Sequence, residues 1–343
     1  MIKNDIIRMF EQPAIIAEAL VGVAALPFQR GNRFLFEQKR HKFSLIRRLY
    51  LGFIVFFMLF LVAGCAKEKP LYCVDDFVKI PAGEFMMGSP DGEAEREKNE
   101  TEHRVKLSEF FMARHEVSVA EFSRFIAEKG DSTDATKDGW SFVYKDGKWT
   151  QQEGVNWRCD PAGNIRPLSE YHHPVVHVSW NDADTYCKWL SSKIGKTFQL
   201  PTEAEWEYAC RAGTITSFAT GSNLTTDQAN YDGNYPYKGN TRGEFRCTTV
   251  PVNYFAPNDW GLYNMHGNVW EWCRDRYGEK YYEACMVQGV VENPENTDES
   301  SSRRVLRGGC WGSYAGYCRS ASRSDYPPGL RGGSVGFRLV FVP

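Results

Sequence analysis

Hydrophobic and polar residues alternate at both ends of the segment Arg304–Val340. Arg304–Leu306 and Val335–Val340 alternate as half-buried strands do, and the residues between them are rich in Gly, Ser, Tyr and Pro. The pattern predicts two strands that frame an irregular, exposed loop region. Tyr offers a large, rigid contact surface at low entropic cost, and Ser and Gly supply adaptable hydrogen bonds, as in ligand-binding loops. Composition alone leaves open an ordinary surface connection whose Tyr rings pack on the body of the domain.

Strand signals dominate the first part of the predicted domain. Asp75–Gly88 is predicted to form two strands joined by a Pro-Ala-Gly turn, and Arg104–Arg114 returns to strand-like alternation. Between them, the acidic stretch Asp91–Glu102 is predicted to be a surface loop. Lys129–Tyr171 shows no hydrophobic period, so we interpret it as a long insertion of turns and short strands.

Capping residues mark three helices in the middle of the chain. Ser118 begins an amphipathic stretch within Glu116–Glu128, and Glu121, three residues later, completes a capping box. Ser179 begins a second helix, which Gly195 ends, and a third follows Thr202.

A basic and then apolar pattern precedes the domain. Lys39–Arg48 is strongly basic, Leu51–Val62 is almost wholly apolar, and small residues precede Cys65, which is the pattern of a signal peptide that ends in a lipobox. A membrane anchor is disfavoured because the apolar run is shorter than the ~20 residues of a span. The predicted organisation is an N-terminal extension with signal peptide (1–64), a lipidated tether (65–74) and one domain (75–343). Lipidation of Cys65 predicts a protein held by its lipid in the outer membrane and displayed at the cell surface.

Charge and cysteine content narrow the function classes. The net charge is −2 and no basic stripe is present, so electrostatics give no reason to expect a nucleic-acid partner. Ten cysteines less the lipidated one leave nine, and an odd number argues against a complete disulfide framework. Cys187 and Cys210 lie on predicted helix faces, as buried small hydrophobes do, and pairing among the others stays open.

Several motifs resemble the formylglycine-generating enzyme (sulfatase-modifying factor) family. They are PAGEFMMGS near the start, the long stretch from His173 to Gly213, NDWGLYNMHGNVWEWCR over Asn258–Arg274, and the C-terminal GG, Trp311, CRSASR and VGFRLV. The resemblance runs from about Asp75 to Pro343. It implies an α+β domain of the C-type lectin-like, formylglycine-generating type, with few long helices and much irregular structure.

The C-terminal segment resembles more narrowly the variable proteins of diversity-generating retroelements. In those proteins template adenines are randomised, so that Asn codons become Tyr, Ser, Asp, Gly, Cys or Leu codons. The resemblance implies that Trp311, Arg319, Arg323 and Arg331 are fixed scaffold residues with buried or hydrogen-bonded side chains. It also implies one exposed patch that binds a macromolecular ligand, a protein or a glycan, outside the cell. The varied positions are Cys310, Gly312, Ser313, Tyr314, Gly316, Tyr317, Ser322, Ser324, Asp325, Tyr326, Gly329, Leu330, Gly332, Gly333 and Ser334.

The motif over Asn258–Arg274 is the best candidate for a metal site. In the family this turn holds a structural calcium ion, which favours hard oxygen donors. The matching groups are the backbone carbonyls of Asn264, Gly267 and Val269 and the Glu271 carboxylate. The alternative is a tight Gly-Asn turn in which Glu271 is salt-bridged. At the family's other calcium site Asn230 and Tyr231 match, but Glu244 and Arg246 stand where Asp and Phe are expected.

The chemistry of the family's oxidase is not matched. That enzyme holds copper(I) with two cysteines separated by four residues, since copper(I) prefers soft thiolates. Here seven residues separate Cys310 from Cys318, and neither falls on the family's positions when the GG pair and Arg323 are aligned.

Other catalytic patterns are also missing. His173 and His177 have the first spacing of the iron site of ergothioneine-type relatives, but Ser179 stands where a Glu is needed, and we interpret His177 as structural. The chain has no Gly-x-Ser-x-Gly elbow, because the one stretch with those letters, Gly332–Gly336, leads into the predicted strand Val335–Val340 and not into a helix; it has no His-Glu-x-x-His or P-loop motif, and no catalytic cofactor is expected. The sequence therefore predicts a ligand-binding surface lipoprotein rather than an enzyme. The alternatives are a structural envelope or motility lipoprotein and a copper-dependent formylglycine-generating oxidase.

Overall fold

Short strands and a few helices alternate through residues 76–342, the part of the chain that this computed structural model describes. The strands are β1 (Phe77–Ile80), β2 (Gly83–Met87), β3 (His103–Leu107), β4 (Phe110–Ala113), β5 (Trp140–Lys145), β6 (Lys148–Glu153), β7 (Phe198–Gln199), β8 (Trp270–Arg276), β9 (Val290–Glu292), β10 (Arg304–Arg307), β11 (Arg323–Tyr326), β12 (Val335–Gly336) and β13 (Val340–Phe341). The helices are α1 (Val119–Lys129), α2 (Asp134–Asp138), α3 (Trp180–Ile194), α4 (Glu203–Arg211) and α5 (Tyr281–Gln288). This mixture confirms the predicted α+β class.

The C-terminal strands close two of the sheets. One sheet has the order β1-β4-β13-β7 and another β11-β10-β8-β12, while β2-β3-β9 and the β5-β6 hairpin form the other two. Strand β13 lies between β4 and β7, with Val340 opposite both Met112 and Gln199. Strand β12 pairs in parallel with β8. The end of the chain is therefore inserted into the body of the domain.

The predicted helix starts are confirmed by their hydrogen bonds. Ser118, Ser179 and Thr202 each begin a helix with a reciprocal capping box, in which side chain and backbone groups bond in both directions. Helix α3 ends at Gly195, whose left-handed conformation suits a residue without a side chain. The insertion that precedes α3 contains α2 and the β5-β6 hairpin, in agreement with the prediction of short elements.

Two predictions about loops are wrong in part. The middle of Arg304–Val340 is not wholly irregular, because Arg323–Tyr326 forms β11 and pairs antiparallel with β10. The acidic stretch Asp91–Glu102 is a largely exposed loop as predicted, except that Glu100 is fully buried and accepts hydrogen bonds of 2.6 and 2.8 Å from Arg319. A buried guanidinium needs such a carboxylate, since an unpaired charge in the interior is costly.

Aromatic rings fill the core between α1, α3 and the end of the chain. Phe122 stacks on Tyr186 with ring centroids 5.7 Å apart, and Phe337 packs edge-on against Tyr186 at 5.4 Å. A second cluster surrounds Trp206 on α4, between the β2-β3 hairpin and β8. Within residues 76–342 no helix is long and apolar enough to cross a membrane. Cys65 and the predicted segments 1–64 and 65–74 lie outside the described residues.

Candidate ligand-binding surface

The chain leaves β10 through a glycine pair that allows close packing. Gly309 has a φ of +75°, and a Cβ atom there would lie 2.6 Å from the sulfur of Cys318. A side chain at this position would therefore be strained and would collide with the segment that follows. The pair brings the C-terminal loops directly against the domain body.

The four fixed side chains are scaffold, as predicted. Trp311, Arg319, Arg323 and Arg331 are at most 4% exposed. The Trp311 Nε1–H donates to the Gly333 carbonyl at 2.9 Å. Arg323 donates twice to Glu203, over 2.7 and 2.9 Å, in the bidentate geometry that fixes a guanidinium most firmly.

The varied positions do not form one exposed patch, so that prediction is wrong for part of the set. Six of these positions are buried, namely Cys310, Ser313, Gly316, Ser322, Gly332 and Gly333. Their burial has local causes: a Cβ atom at Gly333 would meet the Pro161 backbone, and the Cys310 amide donates to the Ser313 hydroxyl at 3.0 Å. Gly312, Ser324, Asp325, Tyr326, Gly329, Leu330 and Ser334 are partly exposed. Tyr326 and Leu330 pack against the hydrophobic core rather than standing clear of it.

Tyr314 and Tyr317 are the strongly exposed members of the varied set, at 46% and 45%. The Tyr314 ring stacks on Tyr235, which belongs to another loop, with centroids 3.9 Å apart, and Tyr317 lies 6.2 Å from Tyr314. Backbone hydrogen bonds hold the two loops together, from the Asp232 amide to the Ser313 carbonyl at 2.9 Å and from the Ala315 amide to the Tyr235 carbonyl at 3.1 Å. The tyrosine side chains thus project from a fixed backbone.

A second group of rings surrounds the buried Trp311. Tyr144 and Trp149 from the β5-β6 hairpin lie 5.2 and 5.6 Å from its ring, and Phe245 lies 6.2 Å away. Trp311 lies three residues before Tyr314 in the chain, so the two groups adjoin. We call the combined feature the aromatic surface; its members are Tyr144, Trp149, Tyr235, Phe245, Tyr314 and Tyr317.

The members of this surface that lie outside Arg304–Val340 were not predicted from the sequence. Tyr144 and Trp149 belong to an insertion without hydrophobic period, and Tyr235 and Phe245 belong to loops. Ring contacts between segments far apart in sequence carry no local pattern, so composition alone gives no signal for them. An excess of Trp and Tyr in the insertion is the one feature that points to this role.

The cysteines of the predicted oxidase alternative are buried. Cys310 is 4% exposed and Cys318 is fully buried, and burial raises the pKa of both thiols. A copper(I) site needs accessible thiolates, and a raised pKa disfavours that form. Among the cysteines in the described range, all of which are free, Cys247 alone is exposed.

The histidine prediction is confirmed for His177. Its ring nitrogens lie 2.9 Å from the Ser141 hydroxyl and 2.8 Å from the Asp160 carbonyl, and the residue is fully buried. Burial lowers the pKa of His177 to about 4, so the ring is neutral at physiological pH. Within residues 76–342 no group of three or more His, Cys, Asp and Glu side chains is placed to hold a metal ion.

The predicted calcium turn is tightly built. Gly267 has a φ of +83°, and a Cβ atom there would collide with the Asn230 backbone. Glu271 accepts two hydrogen bonds of 2.6 Å from Arg338 and one of 2.8 Å from Trp206. Glu271 is therefore salt-bridged, as expected for the alternative of a tight Gly-Asn turn. Val269 is fully buried beside it.

Two features of the turn nevertheless suit a hard cation. The Oδ1 atom of Asn264 is buried and has no donor among the described residues. Glu116 lies in the same cluster, where it accepts from Asn264 and Asn268 at 3.2 and 2.8 Å. Burial is the largest cause that raises the pKa of Glu116 to about 8. The Arg338 charge opposes this shift, and the Glu271 charge adds to it. With this raised pKa Glu116 is largely protonated near neutral pH, and a bound cation would favour its ionised form.

We propose that calcium binds this turn and stabilises the domain. At a free calcium concentration 100-fold above the dissociation constant, binding adds about 2.7 kcal/mol to the free energy of unfolding. A chelator should therefore lower the melting temperature, and calcium should restore it. Glu271→Ala should abolish the response to chelator, although the variant starts from a lower stability because Arg338 loses its partner. A melting curve of the wild-type protein that chelator leaves unchanged would show a tight turn without metal.

Comparison with known proteins agrees with this architecture. Residues 62–342 match the family model described as sulfatase-modifying factor enzyme 1-like domain. The formylglycine-generating enzyme of Mus musculus is 35% identical over 300 residues, which cover 79% of this chain and 76% of that protein. The structure of PvdO from Pseudomonas aeruginosa is similar with a TM-score of 0.61 and 29% identity, over 80% of this chain and all of PvdO.

A further solved structure shares the fold at lower identity. Treponema denticola variable protein 1 has a TM-score of 0.54 and 24% identity, over 78% of this chain and 95% of that protein. The family model spans well over half of the chain, and the motifs predicted from sequence lie within it. The chain therefore belongs to the formylglycine-generating enzyme, or sulfatase-modifying factor, family.

Proposed function

We propose that this chain is a non-catalytic member of its family, a lipid-anchored surface protein that binds a macromolecular ligand, a protein or a glycan, through the aromatic surface. The observation that carries the proposal is the stack of Tyr235, Tyr314 and Tyr317, each 45 to 49% exposed on a backbone whose neighbouring arginines are buried. Exposed aromatic clusters of this kind are unusual on a protein surface without a partner. Rigid tyrosine rings bury a large area on binding at small entropic cost.

The backbone beneath the tyrosines suits a binding loop whose side chains change. Ala315 and Gly316, between Tyr314 and Tyr317, are buried, and Gly316 lies against the Glu95 side chain. Replacement of either tyrosine therefore alters the surface without entering the core. Diversification by a retroelement would be tolerated at such positions and not at the buried Cys310. The fold shared with a Treponema variable protein is consistent with this part of the proposal.

Removal of Tyr314 and Tyr317 together should abolish binding and leave the fold intact. Each ring is expected to contribute about 1 to 4 kcal/mol as a central aromatic anchor. The double Ala variant should keep the wild-type melting temperature but lose capture of ligands from arrays of extracellular proteins and immobilised glycans. Tyr254→Ala is the matched control, because Tyr254 is 55% exposed but lies outside the aromatic surface.

Unfolding of the double variant would contradict the proposal. If the double variant unfolds, the two rings belong to the core and the binding surface does not exist. Tyr326→Ala is the comparison for loss of a core ring. Because the Tyr326 ring packs on the hydrophobic core, this variant should have a lower melting temperature. A template copy of the Arg304–Val340 repeat in neighbouring DNA, with Asn codons at positions 314 and 317, would support diversification separately.

A lipid on Cys65 would hold the aromatic surface outside the cell, where a protein or glycan ligand is found. Cys65→Ser should release the protein from the membrane fraction, because the thioether that carries the lipid cannot form. Fractionation and intact mass measurement of both forms test this expectation. A Ser variant that stays in the membrane at the mass of the wild-type protein would show that the lipobox interpretation is wrong.

The alternative is a copper-dependent formylglycine-generating oxidase, which the 35% identity to the Mus musculus enzyme favours. The two proposals differ in the state of Cys310 and Cys318. For a binding protein, a thiol reagent followed by peptide mapping should modify Cys247 in the native domain and leave the other two unmodified until the protein unfolds. Rapid labelling of Cys310 and Cys318, with copper(I) protecting both, would instead support the oxidase.

A further inference from the structure

We propose that the chain has a second ligand site, separate from the aromatic surface, in which the guanidinium groups of Arg276 and Arg304 bind a phosphate monoester. We call these two side chains the arginine pair. Three observations carry the proposal: the two side chains lie on one face of a sheet, neither has a carboxylate partner, and each leaves the same hydrogen-bonding edge free. The site goes beyond the proposed function, because it does not depend on any ligand at the tyrosines.

The register of two neighbouring strands places the arginine pair. Arg304 on β10 lies directly opposite Arg276 on β8, and side chains that are opposite each other in an antiparallel pair lie on the same face of the sheet. Both residues are half-buried. The pKa of Arg304 is lowered first by burial and then by the Arg276 charge. Like charges directly opposite each other destabilise a sheet, and a bound anion would relieve that repulsion.

The domain holds each guanidinium group by one nitrogen. The Arg304 Cζ atom lies over the Trp180 ring, 3.8 Å from its centroid, and Nη1 donates to the Arg274 carbonyl at 2.6 Å. The Arg276 Nη1 atom donates to the Ser301 carbonyl, also at 2.6 Å. The Nε and Nη2 atoms of both arginines have no acceptor among residues 76–342, and they are not enclosed in the interior. These two nitrogens form the edge of a guanidinium that binds two oxygens of an anion in parallel.

The carboxylates around Arg304 are engaged by other groups. Burial lowers the pKa of Arg304, and the charges of Asp184, Asp275 and Glu295 act against that shift. Asp184 forms an ion pair of 2.6 Å with a lysine of α3, and Glu295 forms one of 3.0 Å with Arg274. Both oxygens of the buried Asp275 accept backbone amides, at 2.8 and 2.9 Å. None of the three therefore pairs with the Arg304 guanidinium.

Arg276 has only exposed carboxylates in its surroundings. Hydrogen bonds with Ser300 are the largest cause of the lowered pKa of Asp298, and the Arg276 charge contributes to it. The Asp298 Oδ1 atom accepts the Ser300 amide at 2.9 Å, and the residue forms no ion pair with Arg276 in the described part of the chain. Glu279 and Glu299, which are exposed and close in sequence, form none either. Exposed charges are screened by solvent, so the arginine pair keeps an excess of positive charge.

A phosphate monoester matches this excess in charge and in geometry. It carries about −1.5 to −2 charges near neutral pH and three acceptor oxygens, so it can accept from both free edges at once. A carboxylate or a phosphate diester has one charge and two terminal oxygens, which is enough for one edge. Planar guanidinium groups suit phosphate oxygens better than ammonium groups do, and the Trp180 ring holds one of them in place before the ligand arrives.

Methyl phosphate and dimethyl phosphate, a monoester and a diester of similar size, test the charge requirement. Slightly above neutral pH, methyl phosphate should bind the full-length protein at least about tenfold more tightly than dimethyl phosphate in titration calorimetry. Arg276→Gln should weaken methyl phosphate binding about tenfold or more, and Arg276→Lys should weaken it less, because Lys keeps the charge but loses the two-nitrogen edge. Arg303→Gln is the matched control and should change nothing, because Arg303 pairs with Asp325.

Arginine labelling of the wild-type protein gives a second measurement that needs no variant to fold. Phenylglyoxal modifies accessible arginines, and peptide mapping locates the modified residues. Methyl phosphate should protect Arg276 and Arg304 from the reagent and leave the labelling of Arg303 unchanged. Labelling of the arginine pair that methyl phosphate does not slow would overturn the proposal, as would equal binding of the two esters or unchanged binding by Arg276→Gln.

Glycerol phosphate and phosphatidic acid distinguish a soluble source of the phosphate from a lipid head group. Phosphatidylcholine vesicles with phosphatidic acid are compared with vesicles that contain phosphatidylglycerol, a diester, and the full-length chain carries Cys65→Ser so that no lipid anchor contributes. Binding of either monoester that Arg276→Gln weakens supports the site. Joint replacement of Tyr314 and Tyr317 by Ala should leave methyl phosphate binding unchanged, so this proposal and the proposed function fail separately. Loss of methyl phosphate binding in that double variant would place the anion at the tyrosines and overturn the arginine pair.

Discussion

Buried ion pairs between arginines of the C-terminal segment and glutamates of the domain body are the interaction on which the rest of the structure depends. Arg307 is fully buried against Glu207 and also donates to the carbonyls of Ser320 and Ser322, each over 2.7 Å. Removal of one partner from such a pair leaves an uncompensated buried charge and typically costs about 3 to 5 kcal/mol. The pairs therefore impose a single position on the last forty residues.

Each pair joins the C-terminal segment to a different part of the chain. Arg319 reaches the acidic loop at Glu100, Arg323 reaches Glu203 on α4, and Arg338 reaches Glu271 on β8. Planar guanidinium groups suit this role, because one side chain satisfies several acceptors in fixed directions. Irregular loops that lack regular backbone hydrogen bonding are held in this way without long strands or helices.

A segment fixed at so many points can present variable side chains without losing its fold. Tyr314 and Tyr317 project outward from a backbone that is bonded to the loop of Asp232 and Tyr235. The same tight packing buries Cys310 and Cys318. Rigid scaffold and exposed aromatic rings are the combination expected of a preorganised binding surface, since little entropy is lost when it binds.

Local patterns in the sequence determined the elements of this protein, and tertiary structure decided its surface. The capping boxes at Ser118, Ser179 and Thr202 involve residues three apart, so sequence was sufficient to place the helices. The fixed arginines were also predictable from the family motifs. The burial of Gly316 and Gly333 was not, because it depends on Glu95 and Pro161, which are distant in sequence. The aromatic surface likewise joins rings from three separate segments, which only the tertiary structure brings together.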